Sequence, residues 1–201
     1  MRELTNDPFY EVIHSYPSLI IDYCLLADEI PHLGIRSHKV AVLTAMFKVI
    51  ERYMEQDIRD ELRHGTVLSE DAFPWNLDMA KAQTHLIDAE TFLHVPKILS
   101  TDRYGIRKYD CDLPNAKNEE PIPYWYAFWE TPQPSGYGPE EFQKVNSAMF
   151  PKGTDRLEVY VWTTDWSNYF DDGHEWWGAA CWSVYDPQMN RYAVLFASAT
   201  D

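Results

Sequence analysis

The sequence predicts an α+β fold in which N-terminal helices pack on a C-terminal antiparallel sheet. Helical spacing of apolar residues dominates the first half of the chain, and strand-like alternation dominates the second half. The regular alternation of strands and helices that a parallel sheet needs is absent. We expect one domain over residues 1–201, with a helical half at about 1–100 and a sheet half at about 104–201.

Three helices are predicted in the helical half. The first runs from Pro17 to Ile30, and a third segment runs from Leu77 to Phe92. Between them, a long helix begins at Ser37, a suitable cap, and ends near Gly65. We expect its apolar stripe to face the sheet. The stripe consists of Val40, Leu43, Phe47, Ile50, Met54, Ile58 and Leu62.

About four or five strands are predicted in the sheet half, with one short helix inserted among them. The helix begins at Pro139, with acids in its first turn. Strands are predicted at Tyr104–Tyr109, which would be an edge strand, at Pro123–Trp129 and at Leu157–Thr164.

A hairpin ends the sheet half. Its strands are predicted at Trp176–Tyr185 and Arg191–Ala199, and the five residues between them have turn chemistry, with Asp, Pro and Asn. Both faces of the last strand are largely apolar. We therefore expect this strand to be central in the sheet, or covered on both sides.

The charge balance limits the classes of partner. The formal net charge is −15, which disfavours nucleic acids and anionic membranes because phosphate binding needs clustered Lys and Arg. A basic protein or a cationic ligand is the partner that this charge allows.

The cysteines and the apolar runs indicate the compartment. Cys24, Cys111 and Cys181 are odd in number, far apart and without a CxxC pair, so neither a disulfide framework nor a zinc cluster is expected. No secretory signal and no run of about 18 apolar residues is visible. We expect a cytoplasmic protein.

The segment from Asp165 to Glu175 is the sharpest cluster of chemically active side chains. Candidate catalytic residues are Asp165, Asp172, His174 and Glu175. Oxygen ligands with one imidazole would suit Mg²⁺, Mn²⁺ or Ca²⁺, and a carboxylate–histidine pair can serve general acid–base catalysis. The spacing matches neither a calcium loop nor an HExxH motif. A solvated turn is therefore the alternative, and no cofactor is predicted.

Tryptophans flank this acidic segment. Trp166, Trp176 and Trp177, together with Asp171 and Asp172, are the candidate binding residues for a basic partner or a cationic ligand. Neighbouring residues in a strand face opposite sides, so Trp176 and Trp177 cannot both be buried on one face of a sheet. The residue types favour packing of these indoles in the core over an exposed contact site.

Three functional hypotheses follow. The leading one is an acidic binding module, immunity- or antitoxin-like, that engages a basic protein through the acidic and aromatic surface. The second is an enzyme, either a metal-assisted hydrolase or a small-molecule-binding enzyme, built on the candidate catalytic residues. The third is a homodimer formed through a sheet edge or an aromatic face. The remaining histidines fit no motif; they are His14, His32, His38, His64, His85 and His94.

Overall fold

The core of the fold is a six-stranded antiparallel sheet. The computed structural model describes residues 1–64, 76–114, 121–133, 135–175 and 177–199. In chain order its strands are β1 (Arg2–Glu3), β2 (Ile21–Ala27), β3 (Thr84–Ile87), β4 (Ile98–Thr101), β5 (Arg107–Tyr109), β6 (Glu158–Trp162), β7 (Ala179–Asp186) and β8 (Arg191–Ser198). The large sheet has the order β1-β2-β8-β7-β6-β3, and β4 and β5 form a separate two-stranded sheet.

Helices cover both faces of the large sheet. They are α1 (Pro8–Ile13), α2 (Ile35–His64), α3 (Ala89–Phe92), α4 (Tyr124–Trp129), α5 (Pro139–Met149) and α6 (Asp171–His174). Helix α2 packs with the segment around Trp166 and Phe170 on one face. Side chains of α1, α4 and α5 form the core on the other face. The predicted α+β class with an antiparallel sheet is confirmed. None of the described helices combines the length and apolar character that crossing a bilayer requires.

The predicted C-terminal hairpin is confirmed. Strands β7 and β8 pair in continuous register from Ala179 opposite Ser198 to Asp186 opposite Arg191. In the turn, Asn190 has a positive φ of 48°, a conformation that asparagine tolerates better than most residues. Strand β8 lies between β2 and β7 and is buried along almost its whole length. This agrees with the apolar character of both its faces.

The predicted long helix is confirmed as α2, but the prediction of its buried face was wrong. The face on the sheet consists of small and medium residues at the same helical spacing, namely Ala41, Val42, Ala45, Met46 and Val49. The predicted stripe lies on the opposite side, where Phe47 is 51% exposed and Leu62 is 77% exposed. The helix has two apolar faces, and spacing alone cannot distinguish the face that a sheet covers. Small residues allow the closer approach.

Two segments predicted as helices contain strands instead. The segment from Pro17 to Ile30 contains β2, which pairs with β8 over seven residues. A short apolar run that is buried on both faces has no periodicity that separates a strand from a helix. The segment from Leu77 to Phe92 contains β3 and α3. Because these strands enter the large sheet, helices and strands are not divided between the two halves of the chain.

The opposite error occurred at Pro123–Trp129, where the predicted strand is helix α4. Aromatic residues favour strands in general. Here all but one residue of the helix are buried against the face of the sheet that α2 does not cover. Tertiary packing thus decides the local conformation.

The predicted count of four or five strands was too low, because β1, β2 and β3 join the sheet from the first half of the chain. The inserted helix at Pro139 is confirmed as α5.

The acidic segment folds into a tight turn at one end of β7 and β8. A 3₁₀ turn (Asn168–Phe170) leads into α6. The Gly178 amide donates to the Gly173 carbonyl at 2.7 Å, and the Gly173 amide donates to the Ser198 hydroxyl at 3.0 Å. A Cβ at Gly173 would lie 2.3 Å from the carbonyl oxygen of Gly178. This close approach requires a glycine.

We expect Gly173→Ala to lower the free energy of unfolding by about 3 kcal/mol, because the methyl group overlaps with backbone that cannot move aside cheaply. Gly34→Ala is the control. It places alanine at a positive φ, 61°, in open space, and should cost about 1 kcal/mol from backbone strain alone. Urea unfolding followed by tryptophan fluorescence measures both variants. Equal losses in the two variants would contradict the described packing of this turn.

Candidate metal centre

The carboxyl groups of the acidic segment point into solvent. Asp165, Asp171, Asp172, His174 and Glu175 are all exposed. His174 Nε2 is hydrogen-bonded to the Thr164 hydroxyl at 2.7 Å, and the Thr163 hydroxyl donates to Asp165 Oδ1 at 2.9 Å. Among the residues that the structure describes, no three of these carboxyl and imidazole groups converge closely enough to share a metal ion.

The tryptophans of the predicted binding surface that the structure describes are buried. Trp166 is 1% exposed and Trp177 is 3% exposed. Their indole N–H groups donate to backbone carbonyls, of Thr163 at 2.6 Å and of Glu130 at 2.7 Å. Trp176 lies outside the described residues. The two described indoles therefore serve the core and offer no contact area to a partner.

A different group of side chains converges on one point. His32, His38 and Glu158 each offer one ligand atom, and these atoms all lie within 4.8 Å of one another. Nε2 of His32 is 3.2 Å from Glu158 Oε1, and Nε2 of His38 is 3.3 Å from the same oxygen. This is the only such group among the described parts of the chain. Two imidazoles and one carboxylate form the donor set of many zinc and iron centres.

The strand register positions this group. Glu158 on β6 is opposite Tyr185 on β7, which is opposite Tyr192 on β8. Paired residues of an antiparallel sheet point to the same face, and here this row faces α2. His32 lies in the connection between β2 and α2, and His38 lies at the start of α2. Three elements that are distant in sequence therefore meet above one row of the sheet.

Hydroxyl groups hold the other nitrogen of each imidazole. Nδ1 of His32 is 2.7 Å from the Tyr192 hydroxyl, and Nδ1 of His38 is 2.8 Å from the Ser183 hydroxyl. The Trp162 indole N–H also donates to Ser183 Oγ at 2.8 Å. A hydroxyl oxygen can accept a second hydrogen bond, so Nδ1–H of each histidine can donate to it. This tautomer leaves the Nε2 lone pair free, as metal ligation requires.

His38 is held in its neutral form. Burial, followed by the neighbouring His32, lowers the pKa of His38 from 6.5 to about 3. Its side chain is fully buried, and its Nε2 has no hydrogen-bond partner. A buried polar atom without a partner is costly. An unprotonated Nε2 near a carboxylate oxygen brings two acceptors together, and a cation bound by both would satisfy both.

Aromatic rings enclose the histidine pair. Tyr185 stacks on His32 with ring centroids 3.9 Å apart and planes 5° apart, and Tyr160 packs edge-on against His38 at 4.7 Å. Burial raises the pKa of both tyrosines, so their hydroxyls stay neutral. The His32 and Glu158 side chains keep 17% and 33% of their surface exposed. The centre is thus walled by aromatic rings and open to solvent on one side.

Two of the three donor separations fit a tetrahedral zinc ion, and the third, between the two histidine nitrogens, is at most 4.8 Å. Ligands about 2.0–2.2 Å from zinc lie about 3.3–3.6 Å apart in a tetrahedron. The two nitrogen–oxygen distances in the structure, 3.2 and 3.3 Å, are close to this separation. An ion held by these three ligands would keep a fourth position for water, as in catalytic zinc sites.

The fold and this centre define an α+β protein with a candidate two-histidine, one-glutamate metal site. Comparisons with protein-family models, with curated proteins and with solved structures found no match to this chain.

The sequence contained one signal for this centre. His38 occurs three residues before Ala41 and belongs to the buried face of α2, where a polar side chain needs a partner. That signal depends on identifying the buried face correctly, and the choice of the other stripe hid it. Glu158 is 120 residues away from His38 in the chain, and no spacing rule connects them.

The lowered pKa of His38 makes stability depend on pH. Between pH 6.5 and 3 the unfolded chain binds a proton at this residue that the folded protein does not bind. The stabilisation that comes from the lowered pKa of His38 is fully present above about pH 6.5. It is lost as the pH falls, at up to about 1.4 kcal/mol per pH unit. We expect urea unfolding of the chelator-treated protein between pH 6.5 and 5 to show this slope. In His38→Gln the free energy of unfolding should depend less steeply on pH, because unfolding then takes up about one proton fewer. Identical slopes in the two proteins would contradict the neutral, buried state of His38.

Proposed function

We propose that this protein binds one divalent metal ion of the zinc class through His32, His38 and Glu158. The observation that carries the proposal is the unpartnered, fully buried Nε2 of His38, which lies 3.3 Å from the carboxylate oxygen that also meets His32. If the three groups formed only a hydrogen-bonded cluster, this nitrogen would have a hydrogen-bond partner, and among the described residues it has none. A cation shared by all three groups would satisfy it.

The surroundings support a preformed site. Imidazole and carboxylate donors suit Zn²⁺ and neighbouring first-row ions, whereas Mg²⁺ and Ca²⁺ prefer oxygen donors alone. The hydroxyls of Ser183 and Tyr192 fix the orientation of both rings, as second-shell groups do in metal centres. Stacking on Tyr185 further restricts His32. Little side-chain entropy is therefore lost when an ion binds.

An ion held here would supply Lewis-acid chemistry, because a bound water at an open zinc position loses its proton far more readily than bulk water does. This chemistry is compatible with the metal-assisted hydrolase hypothesised from the sequence. It would take place at His32, His38 and Glu158, on a different part of the chain from Asp165 and His174.

Zinc binding by the metal-free protein tests the proposal. We expect competition against a fluorescent zinc indicator to give one tight site per chain. We also expect zinc to raise the thermal midpoint, because an ion that binds only the folded state stabilises it. Glu158→Gln and His32→Gln remove ligands whose side chains are partly exposed, and each should weaken binding by at least about 100-fold.

Two controls make the test specific. The variants are made in a Cys111→Ser background, since Cys111 is a free and exposed thiol. His85→Gln removes an exposed histidine of β3 and should leave zinc affinity unchanged.

Tyr192→Phe keeps the ring but removes the hydroxyl beside His32, and should weaken binding by about 10-fold or more. Stoichiometric zinc binding that survives Glu158→Gln and His32→Gln, or no zinc binding by the parent protein, would refute the proposal.

Binding of a basic protein or a cationic ligand, and an immunity- or antitoxin-like role, stay predictions from the sequence. The net charge of −15 and the exposed carboxyl groups of Asp165, Asp171 and Asp172 support them. The buried indoles of Trp166 and Trp177 give them no support. A cytoplasmic location is part of the same proposal, and the free state of all three cysteines is compatible with a reducing compartment.

A further inference from the structure

The outer face of α2 is an apolar stripe that the described chain does not cover. Val40, Phe47, Met54, Ile58 and Leu62 are exposed, with Phe47 51% and Leu62 77% exposed. Leu43 and Ile50 on the same face are partly exposed, and Ile50 also packs against the core beneath the helix. The stripe extends for about 33 Å along the helix axis. An exposed apolar surface of this length in a soluble domain usually marks an interaction site.

The C-terminal half of α2 has few contacts with the sheet. Arg52 donates to the Tyr23 carbonyl at 3.2 Å, and the Tyr53 hydroxyl donates to Asp22 at 3.0 Å. Beyond these residues, nearly every residue of the helix with a described side chain is exposed. A solvated helix of only a few turns is marginal in water without tertiary packing. This half of α2 therefore gains little stabilisation from its own sheet.

The charges on α2 identify an occupant. From Ile35 to Ile50 the helix has three cations, Arg36, Lys39 and Lys48, and no acid; the remainder of the helix has five acids and three arginines. Two copies of such a helix attract each other when they run antiparallel, and repel each other when they run parallel. The helix is thus electrostatically complementary to itself in one direction.

We propose that two copies of this chain pair antiparallel through the outer face of α2. The spacing of three and four from Val40 to Met54 is that of a coiled-coil seam. A twofold axis between Lys48 and Val49 places Leu43 opposite the partner's Met54, and Phe47 opposite the partner's Ile50. A two-fold interface uses the same surface on both copies, and here each copy supports the exposed half of the other helix.

One ion pair fixes the register. Lys39 and Asp57 are both exposed, and neither has an ion-pair partner among the described residues. They are separated by about five turns of 3.6 residues, so they lie on the same edge of the stripe. The antiparallel pairing places Lys39 beside the partner's Asp57, and the symmetry repeats this contact. The interface lies on the side of α2 opposite His38, so it is independent of the proposed metal centre.

Sedimentation equilibrium of the full chain tests the pairing. We expect a concentration-dependent species of twice the 23.6 kDa chain mass. Phe47→Glu should abolish the dimer without unfolding the protein, because the ring is half exposed. Far-UV circular dichroism confirms that the variant is folded. A monomer at about 100 µM, or a dimer that Phe47→Glu leaves intact, would overturn the proposal.

Charge reversal tests the register and the direction. Lys39→Glu and Asp57→Lys each place like charges together at two symmetric contacts, and should weaken the dimer by about 10-fold. The double variant restores opposite charges and should recover most of the loss. Lys152→Glu, an exposed reversal away from α2, is the charge-matched control and should change little. In a parallel pair Lys39 and the partner's Asp57 would be about 27 Å apart along the helix axes, so failure of the double variant to recover would overturn the antiparallel arrangement.

Discussion

The burial of the His38 imidazole between α2 and the central strands is the constraint on which the site depends. A buried imidazole must be hydrogen-bonded, because each unsatisfied nitrogen costs about 1–3 kcal/mol. Ser183 satisfies Nδ1 and at the same time accepts from Trp162. This contact fixes the start of α2 over β7 and leaves Nε2 without a hydrogen-bond partner, 3.3 Å from Glu158 Oε1. The candidate metal centre is the consequence of one ring nitrogen that the protein core does not satisfy.

The same packing explains the two faces of α2. Alanines and a few medium side chains on the inner face let the helix approach the sheet closely enough for His38 to reach Ser183. The larger apolar residues are left on the outer face, where bulk does not interfere with that approach. A helix with this division binds its own sheet through the small face. The bulky face remains for a second surface.

Local signals predicted some elements well. The turn chemistry around Asn190, the length of α2 and the proline that begins α5 each depend on interactions within a few residues. Strand β2 and helix α4 could not be predicted in this way. Strand β2 is identified by its pairing with β8 and by its burial on both faces, and neither leaves a periodic pattern in its sequence. Helix α4 is helical despite its aromatic residues because the sheet buries it.

The candidate site was harder to predict than the fold. Density of acids in the sequence pointed to Asp165–Glu175, where the structure spreads the carboxyl groups into solvent. The convergent ligands come from a connection, a helix and a strand, and only the pairing of β6, β7 and β8 brings them together. Acids that are close along the chain show only where charge is concentrated, whereas a metal centre needs side chains that meet in space.

The most direct measurement is X-ray absorption at the zinc edge of the protein loaded with one equivalent of zinc. The proposed centre predicts two imidazole nitrogens and one or two oxygens at about 2.0–2.1 Å, with the outer-shell scattering of two imidazole rings. One of those ring signals should disappear in His32→Gln. A coordination shell of oxygens alone, or a spectrum that His32→Gln leaves unchanged, would contradict the account.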